Sequence, residues 1–182
     1  MAINVLGICG SLRRQSTNRG LMRYAQAHAP AGMEIIVADL SAMPFYNADI
    51  TEKPAAVQVL LDQFERADAL LFACPEYNYS LAPALKNALD WASRAPDNRL
   101  LSGKTAAMMG AGGGMGTSRA QYHLRQVSVF VNLHVLNQPE VFCNAFAGAF
   151  DKEGNLTDER TQGLITKQLD ALLAWTKKIR AV

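Results

Sequence analysis

The sequence predicts an α/β protein in which five parallel strands form one doubly wound sheet with helices on both faces. Short apolar runs are continuous rather than alternating, which is typical of strands that are covered on both faces. Segments with helical spacing lie between these runs, and turn-forming residues separate the two kinds of segment. The resulting order, βαβαβαβαβα, indicates a doubly wound parallel sheet.

The predicted elements follow one another along the chain. Strands are assigned to residues 3–9, 33–38, 69–74, 105–109 and 135–142. Helices are assigned to residues 18–28, 55–66, 81–93, 118–131 and 161–179. The last four helices each carry apolar residues at the spacing of one helix face. These residues are Val57, Leu60, Leu61 and Phe64, then Leu85, Leu89 and Trp91, then Tyr122, Leu124 and Val127, and finally Leu164, Leu169, Leu172 and Trp175.

Length and composition limit the possible classes of protein. The 182 residues suit a single domain, residues 1–182, and no internal repeat or low-complexity segment divides them. Hydrophobic residues make up 49% of the chain, which is enough for a large core. The net charge is only +2 and the basic residues are spread along the sequence, which argues against a nucleic-acid-binding face.

The cysteines give no sign of a disulfide framework or a zinc site. Cys9, Cys74 and Cys143 are odd in number and widely separated, so we interpret them as reduced thiols in or near the core. His123 and His134 are assigned to a helix face and a strand edge, and no metal site is predicted. The apolar N-terminus is too short to span a membrane and lacks a basic leader, so we expect a cytoplasmic protein.

Three loops with unusual composition follow the first, third and fourth predicted strands. They cover residues 10–18, 75–80 and 110–117. In a sheet of strand order 2-1-3-4-5, the carboxyl ends of these three strands lie side by side. Because ligands of open α/β sheets bind beyond the carboxyl ends of strands, a single ligand touching all three loops is expected.

The first loop has the composition of an anion site. It contains Ser11, Ser16, Thr17 and Asn18 together with two arginines, and it leads into a helix. Free backbone N–H groups at a helix N-terminus bind phosphate, and the helix dipole favours negative charge there. The alternative is an ordinary helix cap, which Ser16 or Asn18 alone would provide.

The other two loops suit a flat ring. Tyr77 and Tyr79 offer an aromatic wall, and Asn78 offers polar groups for the edge of a ring. The alternative is a turn whose tyrosines only cover the edge of the sheet. The third loop has five glycines in residues 110–116, which allows a ligand to approach the backbone closely, although a plain flexible loop has the same composition.

Other phosphate-binding motifs do not match the spacing. A Walker A loop ending in Gly103-Lys104-Thr105 would need glycine where Asn98 stands. A dinucleotide fingerprint starting at Gly110 would need glycine at Met115. A cysteine phosphatase of the C-x5-R type would need arginine at position 15, which is Gln15. Arg14 is one position early, so the phosphatase alternative stays open.

Three passages together resemble the NAD(P)H-dependent FMN reductases, a flavodoxin-like family that includes quinone, azo-compound and chromate reductases. The first is Gly10-Ser11-Leu12-Arg13 with Ser16 and Asn18. The second is residues 75–80 with Pro83, Leu85-Lys86-Asn87, Leu89-Asp90-Trp91 and Ser93-Arg94. The third is Gly103-Lys104, Gly116, Arg119 and residues 121–126. They span most of the chain in the order and spacing of the family.

The resemblance implies a flavodoxin-like fold and bound FMN, with NADPH or NADH as co-substrate. The implied FMN-binding residues are Ser11, Arg13, Ser16, Thr17, Asn18, Pro75, Glu76, Tyr77, Asn78, Tyr79, Gly110, Ala111 and Gly112. Where the family often has serine or threonine, this chain has Gly110-Ala111-Gly112, so backbone contacts are implied there. The implied reaction is ping-pong hydride transfer from the nicotinamide through FMN to a small acceptor, with no catalytic side chain.

Several functional details stay open at the level of sequence. Arg119 could contact NAD(P)H or the acceptor, or form a salt bridge between subunits, because the family forms dimers and tetramers with the helix around residues 85–91 near the partner. Quinones, flavins, azo compounds, ferric chelates and chromate are all possible acceptors. A flavodoxin-like electron carrier that does not oxidise NAD(P)H is the alternative, but such carriers are strongly acidic and this chain is not.

Overall fold

The computed structural model describes residues 2–181 as alternating strands and helices. The strands are β1 (Ile3–Cys9), β2 (Met33–Val37), β3 (Ala69–Ala73), β4 (Glu76–Tyr77), β5 (Ser80–Leu81), β6 (Thr105–Gly112), β7 (His134–Val135) and β8 (Val141–Asn144). The helices are α1 (Thr17–Ala27), α2 (Ala55–Arg66), α3 (Pro83–Ala92), α4 (Ser118–Phe130) and α5 (Glu159–Arg180). A 3₁₀ turn covers Pro96–Asn98.

The main sheet confirms the predicted fold class and strand order. Its order is β2-β1-β3-β6, and both β7 and β8 pair in parallel with β6 at the far edge. The predicted fifth strand, residues 135–142, was wrong as a continuous element. Pro139 lies in the gap between β7 and β8, and proline has no N–H to donate to the ladder of hydrogen bonds.

The two faces of the sheet form two hydrophobic layers. Helices α1 and α5 cover one face, and α2, α3 and α4 cover the other. All the apolar residues predicted to face the core from α2 and α3 are buried. Trp91 packs edge-on against Tyr46, and its indole N–H donates to the Pro44 carbonyl at 2.9 Å. Core packing therefore accounts for Trp91 without a subunit contact.

The predicted inner face of α4 was wrong at one position. Tyr122 is 55% exposed, whereas the neighbouring Gln121 is buried. The Gln121 side chain donates to the Thr117 hydroxyl and to the Val141 carbonyl, both at 3.1 Å. A satisfied amide can occupy a buried position, so the polar residue lies inside and the tyrosine lies outside.

The cysteines lie where the sequence predicts. Cys9, Cys74 and Cys143 are all buried, and no disulfide joins any of them in the described chain. From residue 2 to residue 181, no helix has both the length and the apolar character that crossing a membrane requires.

Strand β6 is longer than predicted. It runs through Gly110, Ala111 and Gly112, which were expected to open a loop, because β8 pairs with these residues. A Cβ at Gly110 would collide with the Thr117 side chain and lie 2.6 Å from the Cys74 carbonyl oxygen. A Cβ at Gly113 would meet nothing within 4 Å. Part of the glycine content is therefore required by packing within the protein.

The contrast between these two glycines gives a test of strand packing. We expect Gly110→Ala to lower the free energy of unfolding by about 1–3 kcal/mol, because the new methyl group must displace Thr117 or the Cys74 backbone. Gly113→Ala is the matched control and should change stability by less than about 0.5 kcal/mol. Urea unfolding of both variants measures the difference; equal stabilities would contradict the packing of β6.

Candidate cofactor site

A cleft of about 450 Å³ opens at the carboxyl ends of β1, β3 and β6. The three predicted loops converge there. From the first loop and α1 the lining residues are Ser11, Arg13, Ser16, Thr17 and Asn18. From the second loop they are Pro75, Glu76 and Tyr77, and from the end of β6 they are Ala111, Gly112 and Gly113. Three predicted residues, Asn78, Tyr79 and Gly110, lie nearby but do not line the cleft.

One end of the cleft is the N-terminus of α1. Ser16 is the N-cap residue, and its hydroxyl accepts from the Arg19 backbone N–H at 3.3 Å. The first turn of α1 contains no acidic residue, and Thr17 and Asn18 from this turn line the cleft. The prediction that Ser16 caps α1 is therefore correct. The backbone N–H groups of the first turn, which have no partner within the helix, lie at this same end of the cleft.

Asn18 acts as a bridge between the first loop and β6. Its side-chain amide donates to the Ala111 carbonyl at 2.8 Å and accepts from the Ala111 N–H at 3.0 Å. The edge of β6 needs this partner because pairing with β3 ends where Cys74 donates to Met109, just before Pro75. The Asn18 side chain thus replaces a neighbouring strand, so it does not cap α1.

The second loop is a tight hairpin that the sequence did not predict. β4 and β5 pair antiparallel around Asn78 and Tyr79, whose φ values are +50° and +66°. Two consecutive left-handed residues are typical of a type I′ turn, in which glycine is normally preferred at the second position. The Arg119 guanidinium lies 3.7 Å from the centre of the Tyr79 ring, a cation–π contact that helps to hold this conformation.

Glu76 connects the hairpin to α4. Its nearly buried carboxylate accepts from Arg119 Nε at 2.7 Å and from the Ala120 backbone N–H at 3.2 Å. Ala120 lies in the first turn of α4, where Thr117 provides no side-chain cap. Glu76 therefore supplies the cap from a distant loop, and the helix dipole favours its negative charge. Arg119 is held by Glu76 and Tyr79 of the same chain.

The fourth side of the cleft was missed at the level of sequence. Ala145 and Phe146 follow β8 and line the cleft, and Phe146 is 86% exposed. The Ala145 N–H donates to the Gly112 carbonyl at 2.7 Å, and the Phe146 N–H donates to the Asn144 side chain at 3.0 Å. These bonds fix the backbone beside β6. The sequence could have indicated these two residues, because they too follow a strand that ends at the same edge of the sheet.

The cysteine phosphatase alternative is not supported. A phosphatase of that class needs a reactive thiolate, but burial raises the pKa of the Cys9 thiol above its usual value. Burial together with the Glu76 charge raises the pKa of Cys74 to about 12. Both thiols are protonated at neutral pH.

The comparisons with known proteins agree with this geometry. The NADPH-dependent FMN reductase family model matches residues 3–148. An NAD(P)H-dependent FMN reductase of Pseudomonas aeruginosa is 50% identical, over 98% of this chain and 97% of its own length. An NAD(P)H:quinone oxidoreductase of Solanum tuberosum is 47% identical, over 98% of this chain and 95% of its own.

A solved structure shows the same fold. The flavoenzyme NAD(P)H:(acceptor) oxidoreductase FerB of Paracoccus denitrificans superposes with a TM-score of 0.88 at 34% identity, and the match covers 97% of this chain and 98% of FerB. The family match, the full-length relatives and the shared fold agree with one another. The chain belongs to the NADPH-dependent FMN reductase family.

Proposed function

We propose that this protein is an FMN-dependent oxidoreductase that transfers electrons from NAD(P)H to quinones and similar small acceptors. The observation that carries the proposal is the convergence of three features in one cleft. These are the N-terminus of a helix, an aromatic hairpin and the glycine-containing end of a strand. Relatives that match over nearly their whole length are named as FMN reductases and quinone oxidoreductases, which supports the same activity.

The residues of the cleft fit FMN. At one end, Ser11, Ser16, Thr17 and Arg13 surround the start of α1, where hydroxyls, a guanidinium and backbone donors suit a phosphate group. At the other end, the half-exposed Tyr77 offers an aromatic surface.

The glycines at this end leave room for the ring. Gly113 has open space where a side chain would otherwise lie, and Gly112 beside it also lines the cleft. A flat ring can therefore approach the backbone closely. We assign the phosphate to the first end and the ring to the second.

Bound FMN supplies the chemistry of hydride acceptance and electron transfer, and the protein binds and orients the reactants. The Glu76 carboxylate is occupied by Arg119 and Ala120, so it acts as a positioning group rather than as a general base. Asn18 fixes the Ala111 backbone at the ring end of the cleft. We also propose that Asn78, Tyr79 and Gly110, which lie within two residues of lining residues along the chain, contact FMN through their backbone groups.

Further properties complete the proposal. We infer that residues 1–182 form one FMN-binding domain, that the protein works in the cytoplasm, and that it assembles as a homodimer or homotetramer. Azo compounds, ferric chelates, flavins and chromate are proposed as additional acceptors, because a wide, open cleft tolerates acceptors of different shape. Arg119 remains 41% exposed at its side chain and so is available to NAD(P)H or an acceptor as well as to Glu76.

The activity has a direct test. The purified protein should be yellow and release FMN, and anaerobic addition of NADPH or NADH should bleach the flavin absorbance. Addition of a benzoquinone should then restore the oxidised spectrum. A flavin that stays oxidised with both donors would identify an electron carrier and overturn the reductase assignment.

Phe146 gives a second test of the site. We expect Phe146→Ala to raise the KM for a naphthoquinone roughly two- to tenfold, because the aromatic wall of the cleft is lost. Its matched control is Phe130→Ala, which removes a similarly exposed phenylalanine. Phe130 is the last residue of α4, at the end of the helix that points away from Glu76 and the cleft. Ferricyanide, which offers no ring for stacking, should be reduced equally by both variants. Identical quinone KM values would exclude Phe146 from the acceptor site.

A further inference from the structure

A second cleft, of about 560 Å³, lies on the other side of the loop that follows β1. The ends of β1 and β2, the helix α1 and the segment after β2 form its walls. Ser11 and Arg13 line the cofactor cleft, whereas the alternate residues Leu12 and Arg14 line the second cleft. The two clefts therefore share the loop after β1 as a common wall.

The second cleft is strongly cationic. Arg14, Arg19 and Arg23 line it together with one carboxylate, Asp39. Within residues 2–181, none of the three arginines forms an ion pair. Three guanidinium groups in one cleft repel one another, and an anionic ligand would relieve that repulsion. The rest of the chain contains as many acidic as basic residues, so this cleft concentrates the positive charge of the protein.

Arg19 and Arg23 are held by hydrogen bonds, and each of the three arginines keeps unused donors. Arg19 Nε donates to the Ser11 carbonyl at 3.1 Å, which leaves its two terminal nitrogens for a ligand. Arg23 donates to Gly154 and to the Asn155 side chain. Arg14 makes no hydrogen bond to any part of the chain that the structure describes, and its side chain is exposed. Arg14 and Arg19 therefore have more unused donors for an anion than Arg23 has.

The cleft also has features that a simple anion would not need. The Asp39 carboxylate accepts from the Ser41 N–H at 2.9 Å, and its exposed oxygens can also accept from hydroxyl groups of a ligand. Leu12, which is 50% exposed, and the buried Leu40 provide apolar surface beside these charges. A bare phosphate would be repelled by Asp39, whereas a ligand with phosphate, hydroxyls and a flat body matches all three features.

We propose that this cleft binds the adenosine-phosphate half of the nicotinamide donor. Arg14 and Arg19 bind its phosphate groups, Asp39 accepts from the free 3′ hydroxyl of the adenosine ribose, and Leu12 and Leu40 contact the base. The loop after β1 then lies between the two halves of the dinucleotide, and the nicotinamide half reaches the cofactor cleft. This inference rests on the proposed function, since it names where that activity would hold its donor.

The test uses the FMN-loaded protein and Arg14→Ala, which removes an exposed side chain without a partner in the described structure. We expect the KM for NADPH to rise on the order of tenfold, with kcat and the quinone KM unchanged, because a charge-assisted phosphate contact is lost. The affinity for ADP, measured by calorimetry, should fall by a similar factor, and Arg14→Lys should recover part of it. The control is Arg66→Ala, which removes an exposed arginine at the end of α2.

Asp39→Asn distinguishes a nucleoside phosphate from an inorganic anion. We expect ADP to bind this variant more weakly and inorganic phosphate to bind it no more weakly, because only ADP has ribose hydroxyls for the carboxylate. In the wild type, ADP should compete with NADPH. ADP binding that depends on Arg14 but does not compete with NADPH would reveal a separate nucleotide site and overturn the proposal.

Different experimental results would contradict the donor cleft and the proposed function. If the wild type oxidises NADPH but Arg14→Ala behaves as the wild type with both NADPH and ADP, the donor cleft is wrong and the reductase activity stands. If the wild type binds ADP through Arg14 but never reduces its flavin with NADPH or NADH, the proposed function is wrong, and the assignment of the cleft to a hydride donor fails with it.

Discussion

The pair of hydrogen bonds between the Asn18 side chain and the Ala111 backbone is the interaction on which the cleft depends. β3 stops at Ala73, two residues before Pro75, so the last residues of β6 have no strand beside them on that edge. Each unpaired buried backbone group there would cost about 1–3 kcal/mol. Asn18 satisfies both groups across a separation of 93 residues. It thereby fixes the start of α1 against the end of β6, which sets the distance between the proposed phosphate and ring ends of the cleft.

Glu76 fixes the remaining wall in a comparable way. By accepting from Arg119 and from the Ala120 N–H, it connects the hairpin after β3 to the start of α4. Arg119 in turn lies over Tyr79, whose left-handed backbone is costly for a residue with a large side chain. The loops of the site are therefore joined to one another and to the sheet by side chains from different loops. Such mutual support is what holds a ligand cleft open in the absence of its ligand.

The sequence predicted what depends on local pattern and missed what depends on distant partners. β1 and α2 were predicted with their observed bounds, because continuous apolar residues mark a doubly covered strand and helical spacing marks a buried face. β6 was predicted too short, since its glycines resemble a loop until β8 pairs with them. The hairpin at Asn78 and Tyr79 lacks the usual glycine, and Phe146 was missed because the fifth strand was placed too early along the chain. The role of Asn18 could not be predicted, since nothing local points to Ala111.

The central claim is that the loop after β1 and the start of α1 bind the phosphate of FMN at one end of this cleft. Titration of the flavin-free protein with FMN and with riboflavin, followed by flavin fluorescence, tests it most directly, because the two ligands differ only in that phosphate. We expect FMN to bind on the order of a hundredfold more tightly, as two or more charge-assisted hydrogen bonds would provide. Riboflavin binding as tight as that of FMN would contradict the phosphate site and with it the orientation proposed for the cofactor.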